Sequence, residues 1–514
     1  MSGYVPNPPK NYRYDEAKPV DIHAERWAEY EKHGKAPAAA KEKIRVALRI
    51  GVFFDGTLNN ANNSASGLLC GAHHPIRPED VDASCKPYMA DPEGSYGNDV
   101  SNVAKLFDLY PASKELQGDA SNKLVLRSLY IDGIGSETGE MDSLSNAATG
   151  RGNTGVTAKV QLAFSRMKML INEFVGQNPG VELGSVIFDT FGFSRGAAAA
   201  RHFANEIIRC MQGPLGEIIR CNSSGFWPGF TGQYNTEVMV GFIGLFDTVP
   251  SIAGITNLGN IQSPVAPGVK LYLDRRYFND VVQLVARDEK RANFALSKVS
   301  PTHQEIILPG VHSDLGGGYR DEVEECVLVS PMQALTIAKG EDIRTTSIYR
   351  HAQREKAQWI TAGWPEEMLE VVTPTPSALP VELDRMEVRK LRSYAGLQLK
   401  RRVRGELSRV YLHLMHKLAR EKGVQFDDIP ASSVYAVPEE LQPFCEKVLS
   451  GHYEPTADED RLLKLKYIHM SANWSNPIGG SRERGLTLRY TNAPTNNGVR
   501  VRHPHVSDSN WKLF

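Results

Sequence analysis

The sequence predicts an α/β fold: a mostly parallel sheet flanked by helices, with long loop insertions and a mainly helical C-terminal region. Two observations predict it. Short apolar runs rich in β-branched and aromatic residues alternate with stretches of helical periodicity up to about residue 320. That alternation builds parallel strands joined by right-handed helical crossovers. Most of these runs also end in a glycine-bearing turn, and in such sheets ligands gather outside the carboxyl ends of the strands.

Residues 1–43 are rich in Pro, Lys, Glu and Ala and read as an extended arm and linker. A core is expected over 44–329. It opens with the strand Arg45–Phe54 (RVALRIGVFF), closed by Asp55-Gly56. Residues 59–98, loaded with Asn, Ser, Gly and Pro, read as a long insertion, and loops of that length are usually functional. Strands follow at Lys123–Ile131, Ser185–Phe191, Val238–Phe246 and Glu305–Leu308. Helices are expected at Val103–Tyr110, Val156–Phe174, Ala197–Met211 and Tyr277–Leu296. Residues 330–514 read as mainly helical, packing on the core or capping its site. The clearest helical pattern is Leu397–Leu418, where Val403, Leu407, Tyr411, Leu414 and Leu418 make one apolar stripe. The last forty residues are polar loop with short β-like pieces, LTLRY and GVRVRH.

The chain has 514 residues, with 59 Lys+Arg against 60 Asp+Glu, so no global charge draws it to nucleic acid. At 41% hydrophobic and 23% charged residues it can bury a sizeable core. No apolar run approaches the roughly 18–20 residues that span a bilayer, and the N-terminus lacks the apolar core of a signal peptide. Six cysteines stand at 70, 85, 210, 221, 326 and 445 without a C-x-x-C pair, which disfavours a zinc site. Free thiols are expected; Cys70–Cys85 or Cys210–Cys221 are the spacings that would bridge in an oxidising compartment.

The most informative segment is Ser185–Arg201, SVIFDTFGFSRGAAAAR. Gly192-Phe193-Ser194-Arg195-Gly196 matches G-x-S-x-G, the pattern of a strand turning sharply into a helix with a serine at the apex of an α/β-hydrolase-like sheet. The other reading of this turn is a serine that merely caps its helix. A serine hydroxyl needs a base, usually histidine, oriented by a carboxylate, in the chain order Ser, Asp or Glu, His. Asp247 ends the strand FIGLF, and His312 follows the strand Glu305–Leu308 in the loop PGVHSDLGGGY. Ser194, Asp247 and His312 are therefore the candidate catalytic residues. The oxyanion donors would be the backbone N–H of Arg195 and one from the Asp55–Thr57 turn, either Gly56 or Thr57. Asp55 is a supporting candidate that holds this loop or binds a cation, and Asp314 is one that orients the His312 loop. Asp189, Asp288, His202 and His303 are weaker alternatives by position.

Two other motifs fail on inspection. FFDGTL is close to the D-x-D-G-T signature of haloacid-dehalogenase-type phosphatases, but their nucleophilic aspartate would fall at Phe53. Gly133-Ile134-Gly135 has its next glycine at 139, out of step with a dinucleotide loop, and reads as a turn near the site.

In order, FFDGTLNN, YIDGIGS, GFSRGAAAAR, GLFDTV, ARDEKR and GVHSDLGGGY resemble the motifs of the DUF2235 α/β-hydrolases, which include the Tle1-type phospholipase effectors of type VI secretion. The resemblance covers roughly residues 44–320, and the family's serine, aspartate and histidine fall on Ser194, Asp247 and His312. It implies a phospholipase A acting on acyl esters of membrane glycerophospholipids, with no cofactor and no metal. It also implies synthesis in a bacterial cytoplasm and delivery to a target-cell periplasm by the type VI machine. The partners it implies are a VgrG-type spike protein, an immunity protein and a phospholipid surface; nucleic acid is not among them. An esterase or thioesterase on soluble substrates, or an inactive adaptor with the same fold, are the alternatives. Lys400, Arg401, Arg402 and Arg404 would either meet anionic headgroups or form the solvated edge of a packed helix.

Overall fold

Six parallel strands form the central sheet. They are β1 (Ile44–Phe54), β2 (Lys123–Ile131), β3 (Val181–Phe193), β4 (Val238–Phe246), β5 (Val281–Ala286) and, beyond a two-residue strand β6 (Leu296–Ser297), β7 (Gln304–Leu308). The computed structural model describes residues 43–69, 97–112, 123–136, 155–250, 268–375, 390–475 and 492–507, with the short strands at 377–378, 477–478 and 489–490. The arm expected over 1–43, apart from residue 43, lies outside the described residues, as do 70–96 of the expected insertion, with Cys70 and Cys85. The described part of that insertion begins with the helix Ala61–Leu69. Cys210 and Cys221 are free thiols, so the second spacing that would bridge does not.

The strand order is β2-β1-β3-β4-β5-β7. The chain winds outward from β1 to β2, then returns to β3 on the other side of β1 and continues to the far edge. The crevice between the carboxyl ends of β1 and β3 is thus the topological switch point, where open sheets of this kind bind ligands. Those two ends carry Asp55 and Ser194. Fold class is as the sequence predicts, and within the parallel sheet one element differs: the helix expected at Tyr277–Leu296 contains strand β5. Its VVQLVA run is buried along its whole length, and for a short run buried on both faces periodicity does not separate strand from helix.

One face of the sheet is covered by the helices Val156–Gln177, Arg195–Ile207 and Pro214–Cys221, with Phe164, Phe188 and Phe203 in a shared apolar cluster. The other face packs against Asn102–Leu109, Leu407–Glu421 and Gln442–Leu449, so Phe53, Phe191 and Phe242 meet Tyr411, Leu414 and Met415. The C-terminal stretch therefore supplies part of the core.

Beyond residue 320 the helical expectation needs correcting. Besides its helices, the region holds an antiparallel sheet of β8 (Val323–Leu328), β9 (Gln333–Ala338), β10 (Leu369–Val372), β11 (Ser377–Ala378) and the long β12 (Lys390–Val403). The stripe read as one helix from Leu397 is strand as far as Val403 and helix only from Leu407. The basic run lies on β12 and just past its end, each residue with an acidic partner. Lys400 pairs with Glu324, Arg401 with Glu325, Arg402 with Glu322, and Arg404 with Glu406 and Glu440. Arg401 is buried, while Lys400 and Arg402 stay exposed beside their acidic partners. Among the described residues no helix is long and apolar enough to cross a membrane.

Inside the sheet, Arg49 of β1 holds both oxygens of Asp189 on β3, at 2.7 and 2.9 Å, and the Tyr110 hydroxyl donates to the same carboxylate at 3.0 Å. Asp189 is thereby a structural ion-pair residue. Removing one partner of a buried pair leaves the other charge uncompensated. Arg49→Met is expected to cost about 3–5 kcal/mol in urea unfolding, and Arg49→Met/Asp189→Leu to recover part of that loss.

Candidate active site

The elbow is built by close backbone approach. Ser194 sits at φ 59°, ψ −122° between β3 and the helix Arg195–Ile207. Its N–H donates to the Phe246 carbonyl at 3.0 Å, and its own carbonyl accepts from Ala197 N–H at 3.1 Å. A Cβ on Gly192 would lie 2.4 Å from the Gly196 carbonyl oxygen, and one on Gly196 would lie 2.2 Å from that of Phe54. The two glycines of the motif are there because main chain occupies the space a side chain would need. Among the described residues five non-glycines have positive φ, and three of them, Leu58, Ser194 and Asp247, lie in the loops that close the crevice. Strain of this kind gathers at functional sites.

Asp247 is fully buried, and its N–H is held by the Leu284 carbonyl at 2.8 Å. Its Oδ2 accepts from His312 Nδ1 at 2.5 Å, and its Oδ1 from the Ala286 N–H at 3.0 Å. His312 comes from beyond β7, two strands away, and its loop crosses β5 to reach Asp247. The imidazole packs on the ring of Phe193, the residue before the serine, with centroids 4.6 Å apart, and edge-on against Phe294 at 4.9 Å. Aspartate and histidine are thus paired at the carboxyl edge of the sheet, with the residue before the serine packed on the imidazole.

Three charged groups went unread in the sequence. Arg500 holds both oxygens of Asp247, Nη1 to Oδ1 at 2.7 Å and Nη2 to Oδ2 at 2.8 Å. Glu289 accepts from the His312 N–H at 3.3 Å and from Ser471 Oγ, and it pairs with Arg291 at 2.7 Å. Glu289 and Arg291 belong to ARDEKR, a charged run directly after an apolar strand, which is a usable signal. Arg500, in a polar tail, carried none.

Burial alone would raise the Asp247 carboxyl; the charge of Arg500, with the hydrogen bond and charge of His312, holds it far below the usual carboxylate range. Burial lowers the His312 imidazole, opposed by Asp247 and assisted by Arg291 and Arg500. The resting pair is therefore a neutral imidazole donating Nδ1–H to a carboxylate, which leaves Nε2 as the basic nitrogen.

Of the two expected oxyanion donors, Gly56 is not available. Its N–H turns back onto its neighbour's carboxylate, Asp55 Oδ1, at 2.6 Å. No hydrogen bond among the described residues takes the Thr57 N–H, and Thr57 Oγ1 accepts from Arg195 Nε at 2.6 Å, tying that loop to the elbow. Asp55 holds the loop, as one of its two readings has it: Ser101 Oγ donates to Oδ1 at 2.6 Å and the Tyr130 hydroxyl to Oδ2 at 2.5 Å. The glycine turn at 133 packs on the same loop, its N–H on the Asn59 carbonyl. Asp314 steadies the His312 loop by accepting the Val311 N–H at 2.9 Å and His469 Nδ1 at 2.7 Å. Asp288 accepts the Gly310 N–H. His202 accepts the Lys270 N–H and His303 bonds the Leu273 carbonyl, both away from the serine. Among the described residues no three His, Cys, Asp or Glu side chains group to hold a metal ion.

Fold and site geometry together define an α/β-hydrolase-type chain, with a sharp strand–serine–helix turn at the switch point of a parallel sheet. Comparison with known proteins narrows that class. Residues 225–338 match the family model described as T6SS, phospholipase effector Tle1-like, catalytic domain. A structure of the Tle1 effector bound to the VgrG spike from the type 6 secretion system shares 26% identity, with a TM-score of 0.69, over 96% of this chain and 98% of that one. An uncharacterized protein from Pseudomonas aeruginosa is 16% identical over 85% of this chain and 55% of that one, and its TM-score of 0.36 is too low to carry an argument. No curated protein matches. The chain is thus similar to the Tle1-like phospholipase effectors of type VI secretion, in its catalytic-domain segment and in its overall fold.

Burial pushes the Asp55 carboxyl up to about 6, against the pull of its three donors. A folded-state pKa above the unfolded value of about 3.9 gives stability that is complete below the unfolded pKa and lost as pH rises through the folded one. Asp55→Asn is expected to remove that slope. Thermal melts of both proteins across about pH 4 to 7 should show the wild type losing ground to the variant as pH rises.

Proposed function

We propose that the chain is a serine-dependent phospholipase A, cleaving acyl esters of membrane glycerophospholipids as an antibacterial effector. The observation that carries this reading is the Asp247–His312 hydrogen bond of 2.5 Å beside a serine held at positive φ, in a Tle1-like chain. His312 Nε2 takes the Ser194 proton as Oγ attacks the acyl carbonyl. The N–H groups of Arg195 and, in place of Gly56, Thr57 hold the resulting oxyanion; losing one such donor costs about 3–4 kcal/mol. His312 then returns the proton to the departing lysophospholipid oxygen. Water, deprotonated by the same nitrogen, releases the fatty acid and restores the serine. Asp247 keeps the imidazole in the tautomer that leaves Nε2 free and stabilises the imidazolium formed at each step.

The structurally similar Tle1 is bound to a VgrG spike. By likeness, a VgrG-type protein carries this chain out of the bacterial cytoplasm where it is made and into the periplasm of a rival, while an immunity protein guards the producer. The phospholipid surface is its substrate.

Vesicles of phosphatidylethanolamine and phosphatidylglycerol are expected to yield fatty acid and lysophospholipid with the wild type. Ser194→Ala should lower that rate by about a thousandfold or more. Lysolipid release undiminished in the alanine variant would sink the serine mechanism. Turnover confined to water-soluble nitrophenyl esters would move the reading to an esterase.

The lowered imidazole also fixes a pH dependence. Because the base must be neutral to act, kcat/KM on a soluble ester is expected to stay level as pH falls through about 6.5, the ordinary histidine value, and to drop only below it.

A further inference from the structure

The carboxylate that orients His312 is held from the far end of the chain. Arg500 is buried and spends its guanidinium on three acceptors: both oxygens of Asp247 and, through Nε, the Phe294 carbonyl at 2.6 Å. The segment that carries it is laced to the core on either side. Thr495 N–H donates to the Lys290 carbonyl and Ala292 N–H to Ala493. Leu296 N–H donates to Val501 and Lys298 N–H to His503, where the strand Arg502–His503 runs parallel to β6. Further on, His505 Nε2 accepts the Leu273 N–H.

We propose that Arg500 is a positioning residue of the active site, fixing the Asp247 carboxylate from a docked C-terminal strap so that one carboxylate oxygen is aimed at His312. Its fork fits a carboxylate at two points, and that fit sets the plane of the group as well as its place. An ordinary triad has an aspartate free to share its full charge with the imidazolium. Here that charge is already matched by a guanidinium, which moderates the basicity of His312.

The groups facing the imidazole are few. Asp247 at the end of β4 and Glu289 after β5 are negative, while Arg500 on the strap and Arg291 beside Glu289 are positive. Phe193 and Phe294 are neutral, and Asp314, on the same short helix as His312, is turned toward Val311 and His469. Two negative and two positive charges balance. Removing the Arg500 charge tips the balance toward the imidazolium, and a neighbouring charge of this kind shifts a pKa by about 1–3 units.

This inference rests on the serine-hydrolase reading, and the test keeps the two apart. Fluorophosphonate labelling of the full chain, lost in Ser194→Ala, tests the reading itself. Soluble-ester kinetics across pH 4–9 for the wild type, Arg500→Gln and Arg500→Lys test the strap. Arg500→Gln is expected to move the acid limb of kcat/KM up by about one pH unit and to lower kcat about tenfold or more, with KM little changed, because Arg500 does not meet substrate. Arg500→Lys keeps the charge but loses the two-point grip, so its limb stays in place while kcat falls. An unshifted limb in Arg500→Gln, with the same fractional loss at every pH, would reduce Arg500 to scaffold and overturn the proposal. Should the glutamine variant fail to fold, a lysine variant with wild-type kcat would overturn it equally. Labelling that persists in Ser194→Ala would strike the reading instead of the strap.

Discussion

The site depends on keeping one carboxylate charged where no water reaches it. Asp247 is fully buried at the end of a central strand, and a lone carboxylate there would take up a proton or disrupt the fold. It stays ionised because donors converge on it from three separate parts of the chain: the Ala286 N–H at the end of β5, the His312 ring after β7, and the Arg500 fork. Each donor fixes the position of the element that brings it. The need to satisfy this charge therefore orders the end of β5, the loop beyond β7 and the C-terminal strap around the serine.

Close approach of backbone is the second constraint. The β1 loop lies so near the elbow that Gly196 has no room for a methyl group against the Phe54 and Asp55 carbonyls. That proximity brings Thr57 over the start of the elbow helix, where Arg195 grips its hydroxyl. Asp55, by taking the Gly56 N–H together with the Ser101 and Tyr130 hydroxyls, locks the loop's shape. The residue that looked like a donor is thus part of the brace, and the N–H of the next residue, Thr57, has no partner among the described residues.

Much of this was legible in the sequence, for reasons that differ by element. Strands β1 to β4 and β7 carry long apolar or β-branched runs with turns behind them, and their order alone implied a parallel sheet with its ligand site at the strand ends. Ser194, Asp247 and His312 were each marked by a local signal: the glycine-flanked serine, an aspartate behind an apolar strand, and a histidine in a glycine-rich loop. β5 was misread because a six-residue apolar run has the same pattern in a buried strand and a buried helix. The stripe from Leu397 was misread because Val403, the last residue of the strand, stands four positions before Leu407 and so continues the apolar stripe of the helix.

By itself the sequence determined the parallel sheet, the sharp elbow and the three residues around which the chemistry is proposed, because those depend on short-range pattern and on backbone geometry that only certain residues allow. Tertiary structure alone decided which charges surround them. Arg500 lies 253 positions from Asp247 along the chain, and no local pattern sets an arginine in a polar tail apart from any other. Its role exists only because the strap docks beside β6, so that a guanidinium arrives where a buried carboxylate has two lone-pair directions left to fill.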